Sequence, residues 1–256
     1  MKKLILLFLP TNLFSFIVGK FASIRFPMFI QKRINEIYAK LYKIDMSKYK
    51  ENFAYYKSLR EFFIRPLKHN PHLDNAEIVV SPVDGLIISH GPCGSLIRSK
   101  GFEGNLEEFF EDPDIANEFE DGNHISIHLR PSDYHRIHMP ISGKITKSIH
   151  IKGKLLPVNK PTRKYFPSLY WKNERKFVLI ESNEFGKVAL AAVGALGVGT
   201  IELINPGVTL NIGQELGHFN LGSNVILFFQ KDKMRFLTSL ESDLKLSLAS
   251  LIGNKI

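Results

Sequence analysis

A glycine–serine bond near the C-terminus stands where a chain could attack its own backbone. Gly222 and Ser223 lie just before the apolar run at 225–229. Glycine does not shield its carbonyl, and it tolerates unusual backbone conformations. Ser223 would supply the hydroxyl, which is a weak nucleophile unless a neighbouring base activates it. Since Gly-Ser pairs are also ordinary turn residues, the pair alone does not establish this chemistry.

Two upstream segments offer the groups that such a serine needs. Asp84 lies in the sequence Ser-Pro-Val-Asp-Gly at 81–85, which predicts a tight turn between two buried strands. His135 and His138 are three residues apart in a loop or short turn between prolines. A base that a third group orients is the usual means of activating a serine. A carboxylate in a turn also commonly bonds its own backbone, so both roles stay open for Asp84.

Three other functions fit these residues less well. Nine histidines, with His124 and His128 on one face of a predicted strand, raise the question of a metal site. Zinc sites gather three or four ligands with recognisable spacing, so we predict no metal and expect these two to be hydrogen-bonded strand histidines. A serine hydrolase would need Gly-x-Ser-x-Gly, but Leu221 and Val225 occupy the outer positions. The glycines at 194–200 do not have the third glycine of a dinucleotide loop at the right spacing, and a strand-like segment follows them where that loop has a helix.

Several segments together resemble the phosphatidylserine decarboxylases of prokaryotic type, pyruvoyl enzymes that are made as self-cleaving proenzymes. The matching segments are Phe-Phe-Ile-Arg-Pro-Leu at 62–67, Ser-Pro-Val-Asp-Gly at 81–85, Asp-Tyr-His-Arg-Ile-His-Met-Pro at 133–140, Gly-Ala-Leu-Gly-Val-Gly-Thr-Ile at 194–201, and residues 213–223. They occur in the family's order and cover nearly the whole chain from about residue 55 to residue 229. The His-Met-Pro and Gly-Ser segments together are the specific part.

The resemblance implies a self-processing triad. Asp84 would orient His138, and His138 would activate Ser223 for attack on the Gly222 carbonyl, giving an ester. Elimination would release a long chain, 1–222, and loss of ammonia would leave a pyruvoyl group at Ser223 of a short chain, 223–256. The two chains would stay together as a heterodimer, with a further oligomer left open. The family usually has Thr after this serine, and Asn224 stands there instead, which bears on the rate of processing.

The same resemblance implies a reaction and a substrate. Phosphatidylserine would bind through its amine as a Schiff base on the pyruvoyl group, which accepts the electrons released with carbon dioxide, and phosphatidylethanolamine would leave. His135 would assist decarboxylation or reprotonation, because the reference pKa of histidine is about 6.5. For the head group the sequence offers only Arg136 and Lys144 as candidates.

The positive charge is concentrated at the N-terminus. Residues 1–70 contain 14 Lys and Arg against 4 Asp and Glu, although the whole chain carries only +9. Apolar residues recur there at helical spacing, as at Leu13, Ile17 and Phe21. This pattern predicts basic amphipathic helices lying on an anionic membrane surface, peripherally and on the cytoplasmic face of a bacterial membrane. A helical bundle packed on the core is the alternative. No nucleic-acid pattern is present, and the apolar run is too short and interrupted for a transmembrane helix.

We therefore predict an α+β protein, with a helical membrane-associating segment at 1–70 and a β-rich catalytic core at 71–256. A single cysteine excludes an internal disulfide. Residues 105–117 are expected to form an exposed acidic helical insertion, and residues 155–171, with three prolines, a long loop. The last segment, 232–256, is expected to be a strand followed by a loose tail.

Overall fold

The computed structural model describes residues 10–94, 96–99, 101–197, 201–219 and 223–256, with only the main chain of Ser223. Two helices open it, α1 (Thr11–Ala22) and α2 (Met28–Tyr42). Each follows directly after a proline, Pro10 or Pro27, whose missing N–H costs nothing at a helix start. A short 3₁₀ turn (Met46–Lys48) and helix α3 (Leu59–Phe63) complete this region.

Helices α1 and α2 bury small and polar residues and expose large apolar ones. The buried positions are Thr11, Ser15 and Ala22 in α1, and Gln31, Asn35 and Ala39 in α2. The exposed apolar residues of these helices and their connection are Leu13, Phe14, Phe16, Ile17, Phe21, Ile24, Phe26, Met28, Phe29, Ile30, Ile37 and Leu41. The predicted amphipathic pattern is therefore present, with its apolar side turned away from the protein. No helix among the described residues is both long enough and apolar enough to cross a bilayer.

Polar side chains fasten these helices to the rest of the protein. Asn12 of α1 donates to the Gly153 carbonyl (2.9 Å) and accepts from the Leu155 N–H (2.9 Å). In α2, the Asn35 amide donates to the carbonyls of Phe53 (3.0 Å) and Tyr56 (3.2 Å). Buried amides must find such partners, so the docked sides of both helices are specified by hydrogen bonds.

The remaining elements are mostly strands. They are β1 (Ile78–Val80), β2 (Gly85–Pro92), β3 (Leu96–Ser99), β4 (Phe102–Asn105), α4 (Leu106–Phe110), α5 (Pro113–Phe119), β5 (Asn123–Leu129), β6 (Arg136–His138), β7 (Gly143–Ile151), α6 (Lys160–Tyr165), α7 (Leu169–Lys172), β8 (Arg175–Ser182), β9 (Gly186–Val193), β10 (Ile201–Leu203), β11 (Thr209–Leu210), β12 (Glu215–Phe219), β13 (Ser223–Phe229), β14 (Met234–Phe236), β15 (Lys245–Leu246) and β16 (Leu251–Lys255). The α+β prediction, with helices first and a β-rich core after them, is confirmed.

An antiparallel sheet forms the centre of the molecule, in the order β11-β7-β8-β9-β13-β5-β2-β15. Strand β13 lies between β9 and β5, with Ser223 opposite Leu129 at its first residue. Alternate residues of β13 enter two hydrophobic clusters, Val225 and Leu227 on one face and Ile226 and Phe228 on the other. The strand that begins at Ser223 is therefore buried on both faces.

Two smaller sheets flank this one, in the orders β10-β12-β6 and β1-β16-β14. Strand β16 pairs with β1, with Ile78 opposite Asn254. The expected loose C-terminal tail is therefore wrong, because the last residues complete a sheet.

Two other local expectations are corrected. Residues 105–117 are helical but not exposed, since Leu106, Phe109 and Phe110 are buried in the second cluster. Residues 155–171 contain most of α6 and α7, so this stretch is not a plain loop.

Candidate active site

Both candidate histidines lie on one short segment after β5. His138 ends strand β6, where a loop or turn was expected, and His135 directly precedes this strand. The Asp133 carboxylate closes the turn before them by accepting from the Arg130 main-chain N–H (2.8 Å) and from its guanidinium (2.9 Å). Burial raises the pKa of Asp133, but these hydrogen bonds outweigh it and hold the pKa below its ordinary value. The turn therefore has a fixed shape.

The hydrogen bonds of His138 define its tautomer. Its Nδ1 is 2.7 Å from the Gly213 carbonyl oxygen and must carry the proton, because a carbonyl can only accept. Its Nε2 is 3.0 Å from the Tyr134 hydroxyl, which then donates to it. Burial raises the pKa of Tyr134, so this phenol stays protonated. His138 therefore carries its lone pair on Nε2, which accepts from the weakly acidic Tyr134 hydroxyl.

Asp84 lies near His138 without a described hydrogen bond to it. It follows β1 in the predicted turn, and its Oδ1 accepts from the Leu248 N–H at 2.7 Å. The turn is tied to β6 by the His138 main-chain N–H, which donates to the Pro82 carbonyl (2.9 Å). Burial lowers the pKa of His138, and the negative charge of Asp84 is among the influences that oppose this shift. In this geometry the Gly213 carbonyl orients the ring and Asp84 acts on it electrostatically, so the predicted orienting role of Asp84 stays a prediction.

Gly213 is a site residue whose role the sequence did not reveal. Its φ is +81°, and a Cβ there would lie 2.9 Å from the Pro71 carbonyl oxygen. Only glycine takes this conformation without strain, and it is the conformation that presents the carbonyl to His138. The glycine at the start of the 213–223 motif was the available signal.

His135 is fully buried, with one nitrogen unpartnered. Its Nδ1 donates to the Asp133 carbonyl at 2.8 Å, so Nε2 carries the lone pair. Among the described residues nothing hydrogen-bonds to that Nε2. The ring packs on Phe63 of α3, with centroids 3.9 Å apart. Burial, followed by the charge of Arg65, lowers the pKa of His135 to about 3. The imidazole is therefore neutral at physiological pH.

Main-chain pairing places Phe219 and Ser223, the described residues before and after 220–222, beside the segment that carries these histidines. Gly222 lies outside the described residues, and of Ser223 only the backbone is described. The Phe219 N–H donates to the His135 carbonyl at 3.0 Å. From Phe219 to Ser223 is four residues, which span at most about 14 Å when fully extended. On its other side Ser223 pairs with Leu129, just before the histidine-bearing turn.

Asn224 forms a buried polar pair with Ser126 next to the start of β13. Its Nδ2 donates to the Ser126 hydroxyl of β5 at 2.9 Å, and its Oδ1 has no partner among the described residues. A buried, unpartnered amide oxygen is costly, so Asn224 keeps one acceptor available next to Ser223. The sequence identified Asn224 but not Ser126.

The two candidate head-group residues lie in different settings. Arg136 donates to both Glu215 oxygens (2.7 and 2.9 Å) and to the Ile64 carbonyl (2.9 Å). Lys144 is exposed on β7, opposite Glu181. Arg136 is therefore already occupied in joining α3 to β12, which leaves the head-group assignment a prediction.

An apolar cleft of about 460 Å³ opens between the N-terminal helices and the histidine-bearing turn. It is lined by Val18, Phe21, Ala22, Ile24, Phe26, Gln31, Ile34, Tyr38, Tyr42, Leu59, Phe63, Pro131, Leu196 and Gly197. Phe63 also contacts His135, so a single side chain separates the cleft from the buried imidazole. The exposed apolar helices thus border the cleft, and the cleft reaches the side chain that covers His135.

His124 and His128 both lie in β5, as expected. His124 Nε2 is 2.8 Å from the Ser89 hydroxyl, and its ring stacks on Phe102. Burial lowers the pKa of His124 to about 4. Within the described ranges no group of three or more His, Cys, Asp or Glu side chains is placed to hold a metal ion.

Comparison with known proteins identifies the family of this chain. The family described as phosphatidylserine decarboxylase matches residues 59–254. A phosphatidylserine decarboxylase proenzyme of Acinetobacter baumannii (strain ACICU) is 33% identical over 96% of this chain and 93% of its own length. Proteins of the same name from Acinetobacter baylyi and Pseudoalteromonas translucida are 36% and 35% identical, over 88% and 90% of this chain and 85% and 88% of their own lengths. The chain belongs to the phosphatidylserine decarboxylase family.

Proposed function

We propose that this protein converts phosphatidylserine to phosphatidylethanolamine, using a pyruvoyl group that it makes from its own Ser223. The observation that carries the proposal is the orientation of His138: the Gly213 carbonyl, at the start of the segment that leads to Ser223, binds Nδ1 and leaves the lone pair on Nε2. The names of the relatives, which are proenzymes, support both the substrate and the self-processing.

In processing, His138 Nε2 takes the proton of the Ser223 hydroxyl as its oxygen attacks the Gly222 carbonyl. The carbon–nitrogen bond breaks, the freed amine takes a proton, and an ester joins Gly222 to the serine oxygen. Loss of a proton from the serine α-carbon then expels the Gly222 carboxylate and leaves a dehydroalanine. Addition of water to its imine tautomer releases ammonia and leaves the ketone.

The surrounding residues fit such a group. Two buried acceptors, His135 Nε2 and the Oδ1 of Asn224 at the start of β13, have no partner among the described residues. A new polar group or an amine-bearing substrate would supply the missing donors. When formed, the pyruvoyl carbonyl supplies the electron sink for loss of carbon dioxide.

His135 has a proton-carrying role in this proposal. Its neutral Nε2 accepts a hydrogen bond from the substrate amine and relays a proton to the α-carbon as carbon dioxide leaves. Because burial lowers the pKa of His135 to about 3, the imidazole passes the proton on and does not hold it. The wall of buried side chains keeps bulk water from delivering protons instead.

We propose that the outward faces of α1 and α2 lie in an anionic membrane surface. Large apolar residues such as Phe16 and Phe29 are more than half exposed there, and cations including Lys20, Arg25 and Lys32 border them. An interfacial helix has this combination of apolar face and basic flanks. The apolar cleft would then receive the acyl chains while the head group reaches the histidines.

Intact mass and denaturing gels test the processing step. The wild-type protein should give fragments 1–222 and 223–256, the second with a pyruvoyl mass, whereas Ser223→Ala should give one uncut chain. Ser89→Ala is the matched control, because Ser89 bonds a buried histidine outside the candidate site, His124, and its loss should leave cleavage unchanged. A cut chain in Ser223→Ala, or an uncut but active wild type, would refute the proposal.

Phosphatidylethanolamine formation from phosphatidylserine vesicles tests the reaction. Borohydride added with substrate should abolish turnover by reducing the imine, and hydroxylamine should abolish it by capturing the ketone. A serine hydrolase would survive both reagents and would release fatty acid or head group instead.

A further inference from the structure

Arg65 is a fully buried cation with no described carboxylate partner. Its Nη2 donates to the Tyr49 hydroxyl (3.1 Å) and to the carbonyls of Ser132 (3.1 Å) and Asp133 (3.2 Å). Its Nη1 donates to the Phe63 carbonyl at 3.3 Å. Burying a charge is costly unless many oriented dipoles compensate it, so this arrangement needs an explanation beyond ordinary packing.

The contacts of Arg65 converge on His135. The Asp133 carbonyl oxygen accepts both from Arg65 Nη2 and from His135 Nδ1. The Phe63 carbonyl accepts from Arg65, and the Phe63 ring packs on the imidazole. Arg65 therefore fixes the Asp133 carbonyl, which sets the tautomer of His135. It also fixes Phe63, whose ring sets the orientation of the imidazole.

The charge of Arg65 also acts on His135. After burial, Arg65 is the largest influence lowering the pKa of His135, and His128 acts in the same direction. The Asp133 carbonyl and carboxylate oppose the shift, although that carboxylate is paired with Arg130. A neighbouring cation disfavours the imidazolium form.

We propose that Arg65 is a positioning residue for the decarboxylation step, which fixes His135 as a neutral Nδ1–H tautomer with its Nε2 directed to the reaction. The inference rests on the proposed function only for the role of His135. Arg65 lies two residues after the end of α3 and binds Tyr49, so the N-terminal region becomes part of the catalytic apparatus and not only a membrane anchor.

The chain offers a matched control in Arg175. This guanidinium is also buried, and it donates to the carbonyls of Phe109 (2.7 Å), Trp171 (3.0 Å) and Glu108 (3.0 Å). It differs in a partial ion pair with Glu111 (3.4 Å). It lies with the second hydrophobic cluster, so Arg175→Met should destabilise the protein without altering His135.

The first experiment observes His135 directly, by nitrogen NMR of histidine-labelled Ser223→Ala protein with assignment from His135→Gln. The parent should show a neutral Nδ1–H ring throughout the range from about pH 8 to about pH 5. Arg65→Met should show a second tautomer or protonation within this range, and Arg175→Met should match the parent. An unchanged His135 signal in Arg65→Met would overturn the proposal.

The second experiment uses the processed enzyme. We expect Arg65→Met to lower kcat by about tenfold or more, a loss typical of a mispositioned proton carrier, with KM changed much less and the acid limb of the kcat profile moved to higher pH. Arg65→Lys keeps the positive charge but not the planar, forked set of N–H donors. Its kcat should therefore fall, while the acid limb of its kcat profile stays at the wild-type pH. Equal effects of Arg65→Met and Arg175→Met would contradict the proposal.

Two further outcomes are decisive. If neither Arg65 variant folds while Arg175→Met does, Arg65 is a folding residue and the proposal is wrong. If the wild-type protein forms no phosphatidylethanolamine, the proposed function fails, whereas the NMR comparison still decides whether Arg65 sets the state of His135.

Discussion

The buried neutral His135 should make this protein sensitive to acid. Its pKa is lowered from 6.5 to about 3 by burial and by Arg65, whereas in the unfolded chain it titrates near the ordinary value. Between these two values the unfolded state binds more protons, so the free energy of unfolding rises with pH. The contribution is therefore complete above about pH 6.5 and is lost as the pH falls towards about 3.

The magnitude follows from linkage. Between pH 7 and pH 4.5 the two pKa values give a loss of about 2.5 kcal/mol from His135 alone. In His135→Gln this loss disappears, although the substitution lowers stability by a constant amount at every pH. Because His124 and the other titrating groups are present in both proteins, their contributions cancel in the comparison.

The measurement is urea unfolding at several pH values, followed by the fluorescence of the single tryptophan, Trp171. The Ser223→Ala background is expected to stay one continuous chain. Ile137→Val is the control, because it removes one buried methylene from the same segment and titrates nothing. The free energy of unfolding of Ile137→Val should be about 1 kcal/mol lower than that of the parent at every pH, with the same pH dependence. If His135→Gln also runs parallel to the parent, within about 0.5 kcal/mol, the imidazole is not held neutral and the reasoning is wrong.

Three further predictions concern processing, turnover and membrane binding. His138→Ala should leave an uncut chain on a gel, while His135→Ala should cleave yet form phosphatidylethanolamine about 10²-fold or more slowly. Phe16→Ser combined with Phe29→Ser should reduce sedimentation with phosphatidylglycerol vesicles by about tenfold or more, since each phenyl ring contributes about 2 kcal/mol when buried in an apolar phase. Asn224→Ala should slow the appearance of the short chain, and Asn224→Thr, the residue usual in the family, should restore or exceed the wild-type rate.

Each of these three predictions has a control variant or a result that would contradict it. Identical behaviour of the two histidine variants would contradict their division of labour. Leu251→Ser, an exposed apolar position on β16, should leave sedimentation unchanged. Point substitutions are preferable to removing residues 1–45, because that deletion takes away Asn35 and leaves the carbonyls of Phe53 and Tyr56 unpaired. Equal cleavage rates for both Asn224 variants would remove Asn224 from the processing step.

The sequence predicted the elements that carry a strong local signal. Strand β13 contains a run of apolar residues, and β5 alternates Ile and Leu with polar residues. The turn at Asp84 has Pro and Gly at fixed places. The outward apolar face of α1 follows helical spacing. These patterns act within a few residues, so they can be read without knowing what packs against them.

The features that the sequence did not predict depend on distant partners. Strand β16 reads as Leu-Ile-Gly-Asn-Lys, which resembles a turn until β1 supplies its hydrogen bonds. In α4 the neighbouring glutamates suggested exposure, although Leu106, Phe109 and Phe110 repeat at helical spacing and indicate a buried face. The Gly213 carbonyl that orients His138 is a main-chain group, and no side-chain pattern reports its direction.

The position of β13 has a consequence for the fate of the protein after cutting. A break before Ser223 leaves all of β13 in the short fragment, still paired with β5 and β9 of the long one. The fragment's β15 and β16 likewise pair with β2 and β1 of the long chain. Separation of the 34-residue fragment would therefore remove the middle of the large sheet and uncover Val225, Leu227 and Phe229 together. The two pieces should consequently copurify under dilution and high salt, and come apart only when the whole domain denatures.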